Sequence, residues 1–464
     1  MGGCKVNVFN IYKPNIRNTK MAKLEFGFSR EDITPKRGIP LCGYFNPRPN
    51  KGAYDRLQLK AAVFRTGKEY AAIVSYDLCL LKRDFIDVVE AELKKTGSIL
   101  WGKVLYCVTH THTGPYTSML FDVSGESEYM SKLVAKTVAA LSDALDSLAE
   151  TELYTARTEC TTLAYNRRYL MKNGKVLTNP GKCNPEIAEP DGGVDHSILL
   201  MELRQEGRPV MMIANISNHT DTIGGDLVSA DWPGRMEAAI QQEMGDGIPV
   251  MTIIAPQGNI NHFNITSPDG QAGYGEACRI GKAYASVIMS ARYSLAKQED
   301  CDLTVRNLEF EAPYYQLSDA EYEEAKRVYE ENKDEVMEAG RDFTSEDIAR
   351  GVPFVKKYFA EAAIGCREKA ITEKRVERQI AIHFGTELAI VSLPAEPFVE
   401  LGFAIREGSR FPMTVLAALG MGEVGYVGMP DNYGNGGYET SPSRGLADPS
   451  VGQRMIDGAL GLLK

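Results

Sequence analysis

Three apolar runs in this chain stop abruptly in polar clusters that carry histidine, and that recurrence limits the folds open to it. Val104-Leu105-Tyr106-Cys107-Val108 runs into Thr109-His110-Thr111-His112-Thr113-Gly114-Pro115. Pro209–Ile216 runs into Ser217-Asn218-His219-Thr220-Asp221, and Val250–Ala255 into Pro256-Gln257-Gly258-Asn259-Ile260-Asn261-His262. A short apolar run bounded by turn residues reads as a buried strand. Open α/β sheets place their chemistry at strand ends. Side chains alternate along extended backbone, so His110 and His112 fall on one face. Two imidazoles placed that way suit a metal site or acid–base work; the alternative is a pair of hydrogen-bonded surface histidines. The chain holds only six His, and pairing two of them before a Gly-Pro turn brings the two readings level.

The remaining pattern predicts alternating strands and helices. Strands are expected at Leu24–Ser29, Leu57–Arg65, Tyr70–Tyr76, Glu152–Thr158, Ser197–Glu202 and Asp302–Phe310. Helical periodicity marks Arg83–Lys95, Glu126–Leu148 and Ala277–Leu295. On the second of these, Met130, Val134, Val138, Leu141 and Leu145 share a face. Residues 164–194 read as a long irregular loop, either functional or disordered. Asp77, at a strand end, is either a carboxylate supporting a metal ligand or a turn residue. Residues 317–377 differ in kind. Ser318-Asp319-Ala320-Glu321 is a capping box, and a charged helix Tyr322–Ala339 follows it. Glu377–His383 and Glu387–Leu393 read as a hairpin leading to Pro394-Ala395-Glu396-Pro397 and a helix. Met413–Leu419 is the last strand. It opens into a Gly-rich loop, Gly420 to Gly445, either a lobe over a site or a surface loop. The expected class is α/β: a mixed β-sheet core flanked by helices, with a helical insertion near 317–377.

The chain has 464 residues, enough for a large core, and no composition break divides residues 21–464 into separate domains. A net charge of −10 argues against nucleic acid or an anionic membrane surface as partner. No apolar run approaches the ~18 residues of a membrane span. Residues 1–20 are expected to be a disordered extension, or to precede a start at Met21. They contain no apolar core of a secretory signal. Nine cysteines without CxxC spacing fit reduced thiols and a cytoplasmic location. His196 and His383 read as structural histidines. Asp221, Asp226 and Asp231, which flank His219, read as loop carboxylates, with support of a metal ligand by one of them the alternative.

At this point the constellation resembles the neutral, non-lysosomal ceramidase family in its N-terminal catalytic domain. Asp32-Ile33-Thr34-Pro35 with the Gly-Tyr loop after it resembles the family's opening segment. Thr109–Pro115 is similar to its HTHSGP motif. Asn166-Arg167 is similar to its Asn-Arg-Ser segment. Asn218-His219-Thr220, followed by Ser229-Ala230-Asp231-Trp232-Pro233-Gly234, is similar to its second metal histidine and the stretch after it. Pro394-Ala395-Glu396 resembles its Pro-Gly-Glu, and Gly425-Tyr426 with Tyr438-Glu439 its GY…YE pair.

The resemblance implies a zinc ion held by His110, His219, Glu396 and Tyr426, with His112 beside it. Arg167 and Tyr438 would position the substrate and stabilise developing negative charge. The implied activity is that of a zinc-dependent hydrolase in which metal-activated water attacks an amide (N-acyl) bond. Ester, lactam or glycosidic cleavage, or ligand binding without catalysis, are the alternatives. Two departures shape the expectation. The family's GDVSPN segment stands here as Gly258-Asn259-Ile260-Asn261-His262-Phe263, so Asn261 replaces the serine as hydrogen-bond donor and His262 adds a base. The chain also ends before any immunoglobulin-like C-terminal domain. A small- to medium-sized polar, soluble substrate is therefore expected, and self-association is left open.

Overall fold

Strands apolar at every position need cover on both faces, which parallel strands receive. Val104–Val108 and Val250–Ile254 are buried at every residue, and both lie parallel to a neighbour. The computed structural model describes residues 23–45, 48–117, 126–245, 247–337, 343, 345–441 and 447–464. The extension read over residues 1–20 lies outside them. The helices are α1 (Arg83–Lys95), α2 (Glu126–Asp146), α3 (Asp231–Met244), α4 (Tyr274–Ala291), α5 (Asp319–Asn332), α6 (Ser345–Arg350), α7 (Pro353–Thr372), α8 (Val399–Gly408) and α9 (Ser450–Leu462).

One arrangement occurs three times. The first sheet has the order Val104–Val108, Glu69–Tyr76, Gln58–Thr66, Leu24–Asp32, Ala149–Glu150. The second runs Val250–Ile254, Arg208–Ile216, Ser197–Gln205, Glu152–Glu159, Ala296–Lys297. The third runs Leu303–Glu311, Val376–Phe384, Leu388–Leu393, Met413–Ala418. Each sheet is antiparallel except for one parallel pair, whose crossover carries α1, α3 or α8. The parallel edges meet. Asn215 Nδ2 donates to the Leu416 carbonyl at 2.9 Å, linking the second sheet to the third. Ser75 Oγ reaches the Thr252 carbonyl at 3.4 Å, linking the first to the second. The mixed-sheet α/β core expected from the sequence is present.

Several boundaries differ from expectation, for local reasons. Residues 164–194 are irregular only in part. Tyr165–Asn166 pairs with Ile260–Asn261, and Arg168–Met171 pairs with Val176–Thr178 and Ile187–Pro190. These strands are too short to leave a periodic signal. The capping box forms, but its helix stops at Asn332, whose side-chain amide donates to the Val328 carbonyl at 2.7 Å. The buried row of α2 is Leu133, Thr137, Ala140, Leu141 and Ala144. Thr137 breaks the apolar pattern yet satisfies its hydroxyl on the Leu133 carbonyl at 2.8 Å, with Tyr76 Oη 3.0 Å away.

The start of the Val376–Phe384 strand carries a buried carboxyl, Glu377. Burial, helped by Glu423, outweighs Arg375, Arg83 and Lys82 and pushes its pKa up to about 7. Its Oε2 has no hydrogen-bond partner among the described residues. A carboxyl raised on folding binds a proton that the unfolded chain has already released. Its stabilisation is full below the ordinary glutamate range and is lost as pH rises through about 7. Glu377→Gln is therefore expected to raise the melting temperature at pH 8 and leave it unchanged at pH 5. Equal shifts at both pH values in a thermal melt would refute the assignment.

Candidate metal centre and active site

The three parallel edges deliver their strand ends to one place. After Val108 the backbone turns. The Thr109 amide donates to the Tyr76 carbonyl at 2.8 Å, and Thr109 Oγ1 to Asp77 Oδ1 at 3.2 Å. Asp77 also accepts from the Gln58 amide at 2.9 Å, so it ties adjacent strand ends together, in the manner of a turn residue. His110 then adopts φ 64°, a left-handed conformation that costs energy for a residue with a Cβ. The His110 and His112 rings do converge, with their Nε2 atoms 3.3 Å apart. The cause is this turn, not the alternation of an extended strand.

His110 Nδ1 donates to the Cys79 carbonyl at 2.6 Å, and His219 Nδ1 faces the Gln257 carbonyl at 3.4 Å. A carbonyl on Nδ1 selects the tautomer whose Nε2 carries a lone pair. The two Nε2 atoms lie 3.1 Å apart. Glu396 Oε2 lies 3.1 Å from His110 Nε2 and 3.5 Å from His219 Nε2, and it has no hydrogen-bond partner among the described residues. Three buried acceptor atoms from three sheets thus face one another with no donor between them. That arrangement is unfavourable alone and fits a cation, and the N, N, O donor set suits a divalent transition ion such as zinc.

Tyr426 reaches this group through the backbone. Tyr426–Val427 forms a short parallel pair with Glu396–Pro397, so the stretch from Leu419 to Val427 is built structure. The Arg167 guanidinium sits 5.2 Å from the Tyr426 ring. Burial pushes this phenol's pKa up, Glu396 adds to that, and Arg167 opposes it. Arg167 Nη2 donates to the Gly258 carbonyl at 2.7 Å, and its Nε pairs with Glu439 Oε1 at 2.8 Å. The Tyr438 ring lies 5.9 Å from that of Tyr426. On its other side Tyr438 meets Phe45 at 6.5 Å and Phe359 of α7 at 6.1 Å. The helical insertion thus reaches the site and packs against it through α7.

His112 is fixed through its backbone. Its amide donates to the Thr220 carbonyl at 3.2 Å, and its carbonyl accepts from Arg48 at 2.6 Å. Gly43, at φ 103°, lies against it so closely that a Cβ there would stand 2.6 Å from the imidazole. Burial, with the neighbouring His110 second, lowers the His112 pKa to about 3, so the ring is neutral. Burial also lowers that of His219. Burial opposes charge on His110 too, but Glu396 outweighs it and the net shift is upward.

Among the predicted residues, His110, His112, His219 and Glu396 converge, and Arg167, Tyr426 and Tyr438 border them. The side chains of Asn261 and His262 are engaged elsewhere. Asn261 donates to Asn179 Oδ1 at 2.9 Å and accepts from the Phe263 amide at 3.1 Å. His262 Nε2 donates to the Gln271 carbonyl at 2.7 Å. Sequence reasoning undervalued Glu439, which pairs with both Arg167 and Arg168. Its one signal was its place next to Tyr438.

Compared with solved structures, the chain superposes on one described as ceramidase complexed with C2. The TM-score is 0.71 at 17% identity, covering 95% of this chain and 75% of that one. Neutral ceramidase from Pseudomonas aeruginosa gives a TM-score of 0.69, also at 17% identity, covering 95% and 74%. The chain has a neutral ceramidase-like fold. No protein-family model matches it, and no curated protein matches its sequence. No helix among the described residues is long and apolar enough to cross a membrane.

Proposed function

We propose that this chain is a metal-dependent hydrolase, with zinc the preferred ion, that cleaves an amide (N-acyl) bond in a small- to medium-sized polar substrate. The observation that carries the reading is the convergence of His110 Nε2, His219 Nε2 and Glu396 Oε2 with no donor among them. The ceramidase neighbours support a hydrolase of that kind.

His110, His219, Glu396 and Tyr426 would hold the ion. A divalent ion there supplies Lewis acidity and lowers the pKa of bound water toward about 7. His112, neutral and adjacent, can accept a proton at Nε2 and return it to a leaving amine. Arg167 presents a guanidinium fixed by Glu439 and the Gly258 carbonyl. With the Tyr438 hydroxyl, it stabilises negative charge on a carbonyl oxygen. Because these groups are held before substrate arrives, little reorganisation is left for the reaction itself.

The test is a matched panel of N-acyl amines and the corresponding esters, assayed with zinc, after chelation and after zinc is restored. Amide turnover that disappears and returns with the ion is expected. Turnover unaffected by chelation would remove the metal from the mechanism, and cleavage of esters alone would remove the N-acyl assignment.

A further inference from the structure

His262 stands where the sequence suggested a second base, yet its imidazole is fully enclosed. Its side chain has 0% exposure, and Nε2 is committed to the Gln271 carbonyl at 2.7 Å. The other nitrogen, Nδ1, faces Asp221 Oδ1 at 3.7 Å, which is too long for a direct hydrogen bond. Both atoms are buried, and neither has a hydrogen-bond partner among the described residues. Asp221 differs from its neighbours. Thr220 and Thr222 are buried at 0% and 1%, while the Asp221 side chain keeps 21% exposure. It follows His219 by two residues, and the Thr220 carbonyl beside it accepts from the His112 amide at 3.2 Å, which places it next to the metal group. The other acids nearby have other roles, Glu396 in the proposed metal group and Glu439 paired to two guanidiniums. Asp221 is a partly exposed carboxylate backed by a buried imidazole, and its chain neighbour Thr220 holds the backbone of His112.

We propose that Asp221 is a substrate-recognition residue whose carboxylate takes a hydrogen-bond donor, a hydroxyl or an amine, on the group next to the cleaved bond. His262 is the positioning residue that holds it. The proposal rests on the hydrolase reading for what is cleaved, but not for what is bound. The exposed part of the Asp221 side chain leaves a charged acceptor open to a ligand donor. A hydrogen bond to a charged group accounts for roughly 10- to 100-fold in affinity.

The experiment is calorimetric titration of the full-length protein, with and without zinc, using three probes. Glucosamine carries both donors, glucose only hydroxyls, and cyclohexylamine only an amine. Glucosamine is expected to bind, and to weaken roughly 10- to 100-fold in Asp221→Ala. Asp221→Asn and His262→Gln should show smaller losses, with zinc content and melting temperature preserved in all three variants. Loss confined to cyclohexylamine and glucosamine assigns an amine; loss confined to glucose and glucosamine assigns a hydroxyl. The proposal is overturned if wild type binds none of the probes, if Asp221→Ala binds as wild type does, or if that variant loses its zinc. Binding in the metal-free protein is read separately from turnover, so failure of the hydrolase reading and failure of this one give different results.

Discussion

His110→Ala and Glu396→Ala are each expected to drop the zinc content of the purified protein from about one ion per chain to nearly none. Each change removes one of three acceptors that converge within hydrogen-bonding range. Losing a group that merely supports a ligand costs roughly 10–100-fold in metal affinity, and losing the ligand itself costs more. Turnover should fall by roughly 10³-fold or more. Metal catalysis supplies several kcal/mol of barrier reduction, and each ~1.4 kcal/mol is a factor of ten. His112→Asn is the companion variant. Its ring lies beside the ion's ligands without belonging to the three-atom group, so it should keep its zinc and lose turnover. Elemental analysis with thermal melts separates the cases. Full zinc content in Glu396→Ala would break the proposed ligand set, and equal zinc loss in all three variants would make His112 a ligand.

Glu439→Ala has the largest expected effect on stability, a loss of about 3–5 kcal/mol. Glu439 is fully buried. It pairs with Arg167 at 2.8 Å and Arg168 at 3.1 Å, and accepts from Thr178 Oγ1 at 2.7 Å. Arg168 is also fully buried, and among the described residues its one further carboxylate partner is Asp191, at 2.9 Å. Removing Glu439 leaves Arg167 without its carboxylate and Arg168 short of one, with neither able to reach bulk water in place. The damage should extend to function. Thr178 Oγ1, which donates to Glu439, also accepts from the Tyr438 amide at 3.0 Å. Loss of the anchor therefore loosens Arg167 and Tyr438 together. Urea unfolding measures the first effect, and the ratio of kcat to zinc content the second. A stability loss below about 1 kcal/mol would mean that the two guanidiniums find water after all.

Much of this architecture is legible in local pattern. The apolar runs before His110, His219 and Gln257 announce buried strands, and Pro394-Ala395-Glu396 follows one half of a hairpin. The Ser318–Glu321 capping box forms as its spacing predicts. Motif order along the chain leads to the observed fold even at 17% identity to solved neighbours. The short pairings within 165–190 and the end of α5 at Asn332 are not legible. Two-residue strands carry no period, and a side-chain cap can stop a helix that propensity would extend.

The site divides in the same way. Residue types and strand-end positions follow from the sequence, because burial and turn chemistry are local properties of a chain. Which atoms meet is a tertiary outcome. His110 and His219 stand 109 positions apart, and only the docking of parallel sheet edges brings their Nε2 atoms to 3.1 Å. The carbonyls of Cys79 and Gln257 select the tautomers, and no side-chain code specifies a backbone carbonyl. The Gln271 carbonyl takes up Nε2 of His262, a histidine that the sequence offered as a base, and the other ring nitrogen stands 3.7 Å from Asp221. The sequence determined the strands, their polar ends and the residue types available for metal and proton chemistry. The tertiary structure decided which lone pairs face one another, because that depends on the packing of segments far apart in the chain.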